Sequence, residues 1–89
     1  MKNLQGKTAL ITGGSKGIGY GIAESMLKEG MNVAITSRHQ EAADKAASQL
    51  SLIGPGKLLA FSADVRDFEA QKNVVAKTLE AFGSIDVLI

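Results

Sequence analysis

Eight consecutive residues, Thr12-Gly13-Gly14-Ser15-Lys16-Gly17-Ile18-Gly19, constrain this chain more than any other feature. They follow a strand-like apolar run, Thr8 to Thr12, and lead into a segment in which Ile18, Ile22, Ala23, Met26 and Leu27 recur at helical spacing. A strand that ends in glycines and opens a helix points backbone N–H groups and the positive end of the helix at one place, which suits a pyrophosphate. Each glycine has a distinct use there. Gly13 takes turn angles closed to other residues, Gly17 lets the backbone approach the phosphates, and Gly19 permits close packing of the helix on the first strand. The spacing is Gly-x-x-x-Gly-x-Gly. The common Gly-x-Gly-x-x-Gly fingerprint does not fit, because Ile22 stands where its third small residue belongs.

The rest of the chain repeats the alternation. Strand candidates are Thr8–Thr12, Val33–Thr36, Leu58–Phe61 and Val87–Ile89, near-continuous apolar runs that suit strands covered on both faces. Gly30 stops the first helical segment. Ala42, Ala43, Ala46, Ala47 and Leu50 form a second helical stripe, ended by Gly54-Pro55-Gly56. Val74, Val75, Thr78, Leu79 and Phe82 form a third, capped by Asp67 and stopped at Gly83. The order βαβαβαβ with right-handed crossovers predicts an α/β fold, the N-terminal half of a Rossmann-type doubly wound parallel sheet in three layers, with residues 1–89 as one domain.

Totals remove other classes. Ten Lys and Arg against nine Asp and Glu leave a net charge of +1, too little for a general nucleic-acid binder. No apolar stretch approaches the roughly 20 residues of a membrane span, and Met1 to Gly6 lack the charged-then-apolar pattern of a signal peptide. With no cysteine, thiolate metal sites and disulfides are excluded. His39 has no partner spaced to form a metal site. A cytoplasmic location and no metal are expected. Gly6-Lys7-Thr8 superficially suggests a triphosphate-binding loop, but it precedes its strand and has no glycine five residues upstream.

After the second strand, a dinucleotide fold places either a carboxylate for the ribose hydroxyls of NAD or a basic residue for the extra phosphate of NADP. Here the residues are Ser37 and Arg38. A guanidinium grips a 2′-phosphate with two charge-assisted hydrogen bonds, and Lys16 in the glycine turn is a second cation. NADP(H) is the expected cofactor, although either cation alone could be a solvated surface charge. Asp64-Val65, after the third strand, lie where an adenine rests in such a fold, and Asp64 serves equally well as a turn residue or helix cap. Tyr20, just past the turn, packs or faces solvent.

These motifs resemble the short-chain dehydrogenase/reductase family, particularly its NADPH-using members of the 3-oxoacyl-[acyl-carrier-protein] reductase type. TGGSKGIG is similar to that family's TGxxxGxG turn, LQGKTALIT to its first strand, Ser37-Arg38 to its NADP-selecting pair, Asp64-Val65 to its adenine-side pair, and FGSIDVLI to its lead into the fourth strand. The resemblance implies that Gly13, Ser15, Lys16, Gly17, Ile18 and Gly19 line the pyrophosphate and ribose, and that Asp64 and Val65 flank adenine. It implies an oxidoreductase that interconverts a small-molecule carbonyl and a secondary alcohol, assembled as a tetramer when full length. The family's Asn-Asn-Ala-Gly motif, its catalytic Ser and its Tyr-x-x-x-Lys pair have no counterpart here, since Glu24 stands four residues after Tyr20. With Val87-Leu88-Ile89 ending inside an apolar strand, the expectation is a cofactor-binding fragment, inactive alone, of a longer enzyme. The alternative is a non-catalytic NADPH-binding or sensing module.

Overall fold

Four strands and three helices alternate along the computed structural model, which describes residues 4–89. They are β1 (Thr8–Ile11), α1 (Gly17–Lys28), β2 (Asn32–Ser37), α2 (Gln40–Leu50), β3 (Leu58–Ser62), α3 (Phe68–Phe82) and β4 (Val87–Leu88). Met1 to Asn3, part of the segment read for a signal peptide, lie outside the described residues.

All strand pairs are parallel, in the order β3-β2-β1-β4. Leu10 stands beside Ala34 on one side and Leu88 on the other, and Ala34 stands beside Leu59, so β1 and β2 are the central strands. Their residues are buried almost without interruption, as the apolar runs predicted. β2 extends one residue beyond the expected span at each end, and β3 reaches Ser62. Thr12, read as the last strand residue, belongs instead to the turn, although its N–H still donates to the Ile89 carbonyl at 2.9 Å.

The side chains divide into two cores, one on each face of the sheet. Ala9, Ile11, Val33 and Ile35 pack against Ala23 and Leu27 of α1 and Ala46 and Leu50 of α2. Leu10 and Ala34, one residue out of step and so on the opposite face, pack against Ala63 and against Val74 of α3. Three layers result, as expected: α1 and α2, the sheet, then α3.

Three stripe residues depart from the periodic reading. Ile18, in the first turn of α1, is 84% exposed. In α3, Val74 and Thr78 are buried, whereas Val75 and Leu79 lie on an exposed flank beside Phe68. Helical spacing alone does not separate a core stripe from residues one position around the helix. α3 starts at Asp67, whose carboxylate accepts the Ala70 N–H at 3.1 Å, and ends at Gly83 in the left-handed conformation.

Candidate functional site

The turn between β1 and α1 is fastened to β2. The Gly13 N–H donates to Thr36 Oγ1 at 3.2 Å, and the Gly14 N–H donates to the Thr36 carbonyl at 3.1 Å. Gly13 (φ +73°) and Gly17 (φ +65°) both occupy the left-handed region, where side chains are strained. A Cβ on either would meet nothing within 4 Å, so their backbone faces open space that a ligand can enter.

Gly19 plays a different part from the one expected. A Cβ there would lie 2.8 Å from the Gly13 carbonyl oxygen and 3.1 Å from Gly14 Cα. Its close approach therefore seats the helix on the turn, not on β1. Gly14, which sequence reasoning passed over, is the residue that packs on the sheet. Its Cβ would fall 2.6 Å from Ile35 Cγ2, in the core. The only signal for it was its place beside Gly13 in an unbroken glycine pair.

Lys16 precedes α1 in an extended conformation, offers no side-chain cap, and is followed by no acidic residue in the first turn. The positive end of α1 is thus unneutralised by protein, in contrast with α3 and its Asp67 cap. His39 precedes α2 and likewise makes no cap hydrogen bond.

Ser15, Lys16, Ser37 and Arg38 meet in one cleft of about 290 Å³, with Gly13, His39 and Ala42 completing its walls. The Ser15 and Ser37 hydroxyls are 3.2 Å apart, a hydrogen bond that joins the glycine turn to the end of β2. No carboxylate lines this cleft. The ion pairs among the described residues join Arg66 to Asp64 and Lys72 to Glu69, which leaves Lys16 and Arg38 without an acidic partner. Two free cations beside a helix N-terminus and open glycine backbone form an anion-binding surface. His39, read as a solvated loop residue, is exposed but belongs to the cleft wall.

The remaining expected site residues lie around this cleft. Gly17 borders a second groove of about 470 Å³ between α1 and α2, where the Tyr20 hydroxyl bonds Gln49 Oε1 at 3.2 Å. Ile18 projects into solvent, and Val65 is 60% exposed. Asp64 follows β3, whose end is tied to β2 by the Ala63 N–H donating to the Ser37 carbonyl at 2.8 Å. The Asp64 carboxylate accepts the Arg66 backbone N–H at 2.9 Å, Nε at 3.1 Å and Nη2 at 2.8 Å. These hydrogen bonds, the side-chain ones first, hold its carboxyl well below the usual carboxylate range, with Arg38 adding a smaller attraction. Asp64 is thus a fixed anion at the carboxyl end of β3, outside the cleft itself. Arg66 went unremarked in the sequence.

A dinucleotide fits the residues present. Gly17 and the first turn of α1 face the open space in which a pyrophosphate would be received, the Gly13 N–H being taken by Thr36, and Ser15, Ser37, Lys16 and Arg38 line the adjoining cleft. Among the described residues, no group of three or more His, Cys, Asp or Glu is placed to hold a metal ion, and no helix is long and apolar enough to cross a membrane.

A family profile for short chain dehydrogenase matches residues 7–89. The chain is 42% identical over 87 residues to a short chain dehydrogenase/reductase, dpmpG, of Macrophomina phaseolina, covering 98% of this chain and 50% of that protein. Among solved structures it is similar to the 3-ketoacyl-(acyl-carrier-protein) reductase of Brucella melitensis complexed with NADH, at 35% identity and a TM-score of 0.85, covering 97% of this chain and 34% of that one. It is also similar to an NAD⁺-bound xylitol dehydrogenase, at 30% identity and a TM-score of 0.89, covering 98% and 33%. The chain belongs to the short-chain dehydrogenase family and carries its Rossmann-type fold. It spans between a third and a half of the length of these relatives.

Proposed function

We propose that these residues are the cofactor-binding half of an NADP(H)-dependent oxidoreductase that interconverts a carbonyl and a secondary alcohol. One observation carries the cofactor choice: Lys16 and Arg38 line a single cleft with Ser15 and Ser37, and no carboxylate shares it. A carboxylate at the end of β2 would repel a 2′-phosphate and favour NAD, whereas a guanidinium and a lysine attract a dianion. The two solved relatives named above were captured with NADH and NAD⁺, so the preference for the phosphorylated form rests on Lys16 and Arg38 of this chain.

The bound nicotinamide supplies the hydride. The chain's own groups bind and orient: Gly13 and Gly17 expose backbone to the pyrophosphate, Gly19 brings α1 against the turn, and Asp64 and Val65 flank the adenine. Proton transfer, the substrate groove and the surfaces of a homo-tetramer belong, on this reading, to segments that the resemblance places later in the parent chain, in a cytoplasmic enzyme.

The test is a pair of binding isotherms on the intact protein. Arg38→Asp weakens NADP⁺ more than NAD⁺ by about 1–3 kcal/mol, the range for a lost charge-assisted contact. Equal losses for both cofactors overturn the assignment. Oxidation of NADPH in the presence of a panel of aldehydes and ketones tests the reaction class, and binding without turnover identifies a sensing module instead.

A further inference from the structure

Arg38 stands beside a carboxylate that a second arginine already holds. β2 and β3 run parallel with Ser37 beside Ser62, so Arg38 and Asp64, which follow them, leave the same edge of the sheet on neighbouring strands. Two hydrogen bonds keep these strand ends together. The Ala63 N–H donates to the Ser37 carbonyl at 2.8 Å, and Ser62 Oγ donates to the Arg38 carbonyl at 3.4 Å. Neighbouring strands lie about 5 Å apart, less than the reach of an extended arginine side chain. Arg66 is the main cause of the low Asp64 carboxyl value, and the charge of Arg38 adds a smaller part.

Left to itself, Asp64 would be the natural partner for Arg38. Arg66 prevents that pair. Its backbone N–H and Nε both donate to Asp64 Oδ1, at 2.9 and 3.1 Å, and its Nη2 donates to Oδ2 at 2.8 Å, so the guanidinium meets both carboxylate oxygens at once. The Asp64 backbone is fixed as well, its carbonyl accepting the Asp67 N–H at 2.9 Å and Gln71 Nε2 at 3.0 Å. The Arg66 side chain is 78% exposed, and an exposed ion pair adds little to stability. The clasp therefore matters less for the fold than for which cation Asp64 neutralises.

We infer that Arg66 is a positioning residue for the cofactor site: by holding Asp64 it keeps that carboxylate off Arg38 and leaves the Arg38 guanidinium free for an anion. The inference rests on the NADP(H) reading above, but it concerns a residue outside the cleft. Without Arg66, Asp64 acts twice in the same direction, competing for Arg38 and repelling a phosphate with its unbalanced charge. A residue that merely ordered the turn after β3 would act on NADP⁺ and NAD⁺ alike, whereas one that governs Arg38 acts on their ratio.

The test measures NADP⁺ and NAD⁺ affinities by calorimetry for the intact protein and for Arg66→Gln, Asp64→Asn and the double variant. Arg66→Gln lowers the preference for NADP⁺ about 2- to 5-fold at low salt, the scale of an exposed ion pair, and less at high salt. Asp64→Asn leaves the ratio at its parent value, whatever it does to the two affinities together, and the double variant restores it. A ratio that Arg66→Gln leaves unchanged, or that stays lowered in the double variant, overturns the inference. NMR titration of the Asp64 carboxyl, without cofactor, judges the clasp apart from the cofactor reading. In the Arg66→Gln background, Arg38→Ala raises the Asp64 pKa by more than it does in the parent, and an equal rise in both overturns the clasp. If that coupling appears while the parent binds both cofactors equally, the clasp stands and the NADP(H) reading falls. Because Arg66 is exposed, its substitution leaves the fold intact, and unchanged thermal unfolding verifies this.

Discussion

Ser15 and Ser37, 22 positions apart in the sequence, share a hydrogen bond of 3.2 Å in the cleft beside the glycine turn. One of the two hydroxyl protons is used in that bond and the other is left for a ligand. We expect Ser37→Ala to weaken NADP⁺ by about 0.5–1.5 kcal/mol, the net worth of one hydrogen bond. NAD⁺ loses less. Calorimetric titration of both cofactors measures the difference, and an identical loss would assign the hydroxyl to the ribose in place of the phosphate.

Gly14 has no room for a methyl group. Its Cβ would press on Ile35 Cγ2 and Cβ, at 2.6 and 2.8 Å, within a β-branched side chain that is fully buried and stiff about χ1. Gly14→Ala is expected to destabilise the fold by about 1–3 kcal/mol through overpacking. Urea unfolding followed by circular dichroism gives the value. An unchanged midpoint would mean that the turn shifts away from β2 at no cost.

Thr8 is fully buried, and its Oγ1 has no hydrogen-bond partner among the described residues. Thr8→Val keeps the shape, removes a buried polar atom that nothing satisfies, and suits a central strand. The variant should be more stable by about 1 kcal/mol, the lower end of the penalty for an unsatisfied group. A decrease in chemical unfolding midpoint would reveal a partner for the hydroxyl.

Asp86 fastens the start of β1 to the approach of β4. Its carboxylate accepts the Thr8 N–H at 2.9 Å and the Ser84 hydroxyl at 3.2 Å, and its own N–H donates to the Thr8 carbonyl at 2.8 Å. The Thr8 hydrogen bond, foremost, lowers the Asp86 carboxyl below its ordinary value. A depressed folded-state value means stability that is present above the unfolded value, about 4, and lost as pH falls through the folded one. Asp86→Asn should therefore lower stability at neutral pH, and the gap to the parent should close on acidification. Thermal unfolding across that acid range measures it, and a gap independent of pH would contradict the ionic account.

The alternation of strands and helices was legible because the central strands are covered on both faces and so read as apolar runs. The cleft was legible for a related reason: Gly13, Ser15, Lys16, Ser37 and Arg38 come from segments immediately after β1 and β2, and adjacent parallel strands deliver those segments to the same edge. Asp64 emerged beside the site but clasped by Arg66, a pairing two residues apart in an exposed turn that no periodicity announces. Gly19, expected to pack on the first strand, packs on the turn, and Gly14, which had been given no role, packs on the sheet, since spacing identifies small residues without saying what approaches them. Ile18 was placed on a core stripe because helical spacing does not say where along the helix the packed face begins.

The sheet that divides the two cores also divides the effect of a bound cofactor. Ligand binding stabilises whatever structure the ligand requires, by an amount set by its concentration relative to its dissociation constant. On the proposed reading, a dinucleotide along the carboxyl ends of β1 and β2 rests directly on the glycine turn, α1 and the front of α2, whereas it reaches α3 only at its leading end, through Asp64, whose carbonyl accepts Gln71 Nε2 at 3.0 Å. The same molecule would thus be two bodies sharing a wall: one stiffened along its length when the cofactor arrives, the other only at its leading end.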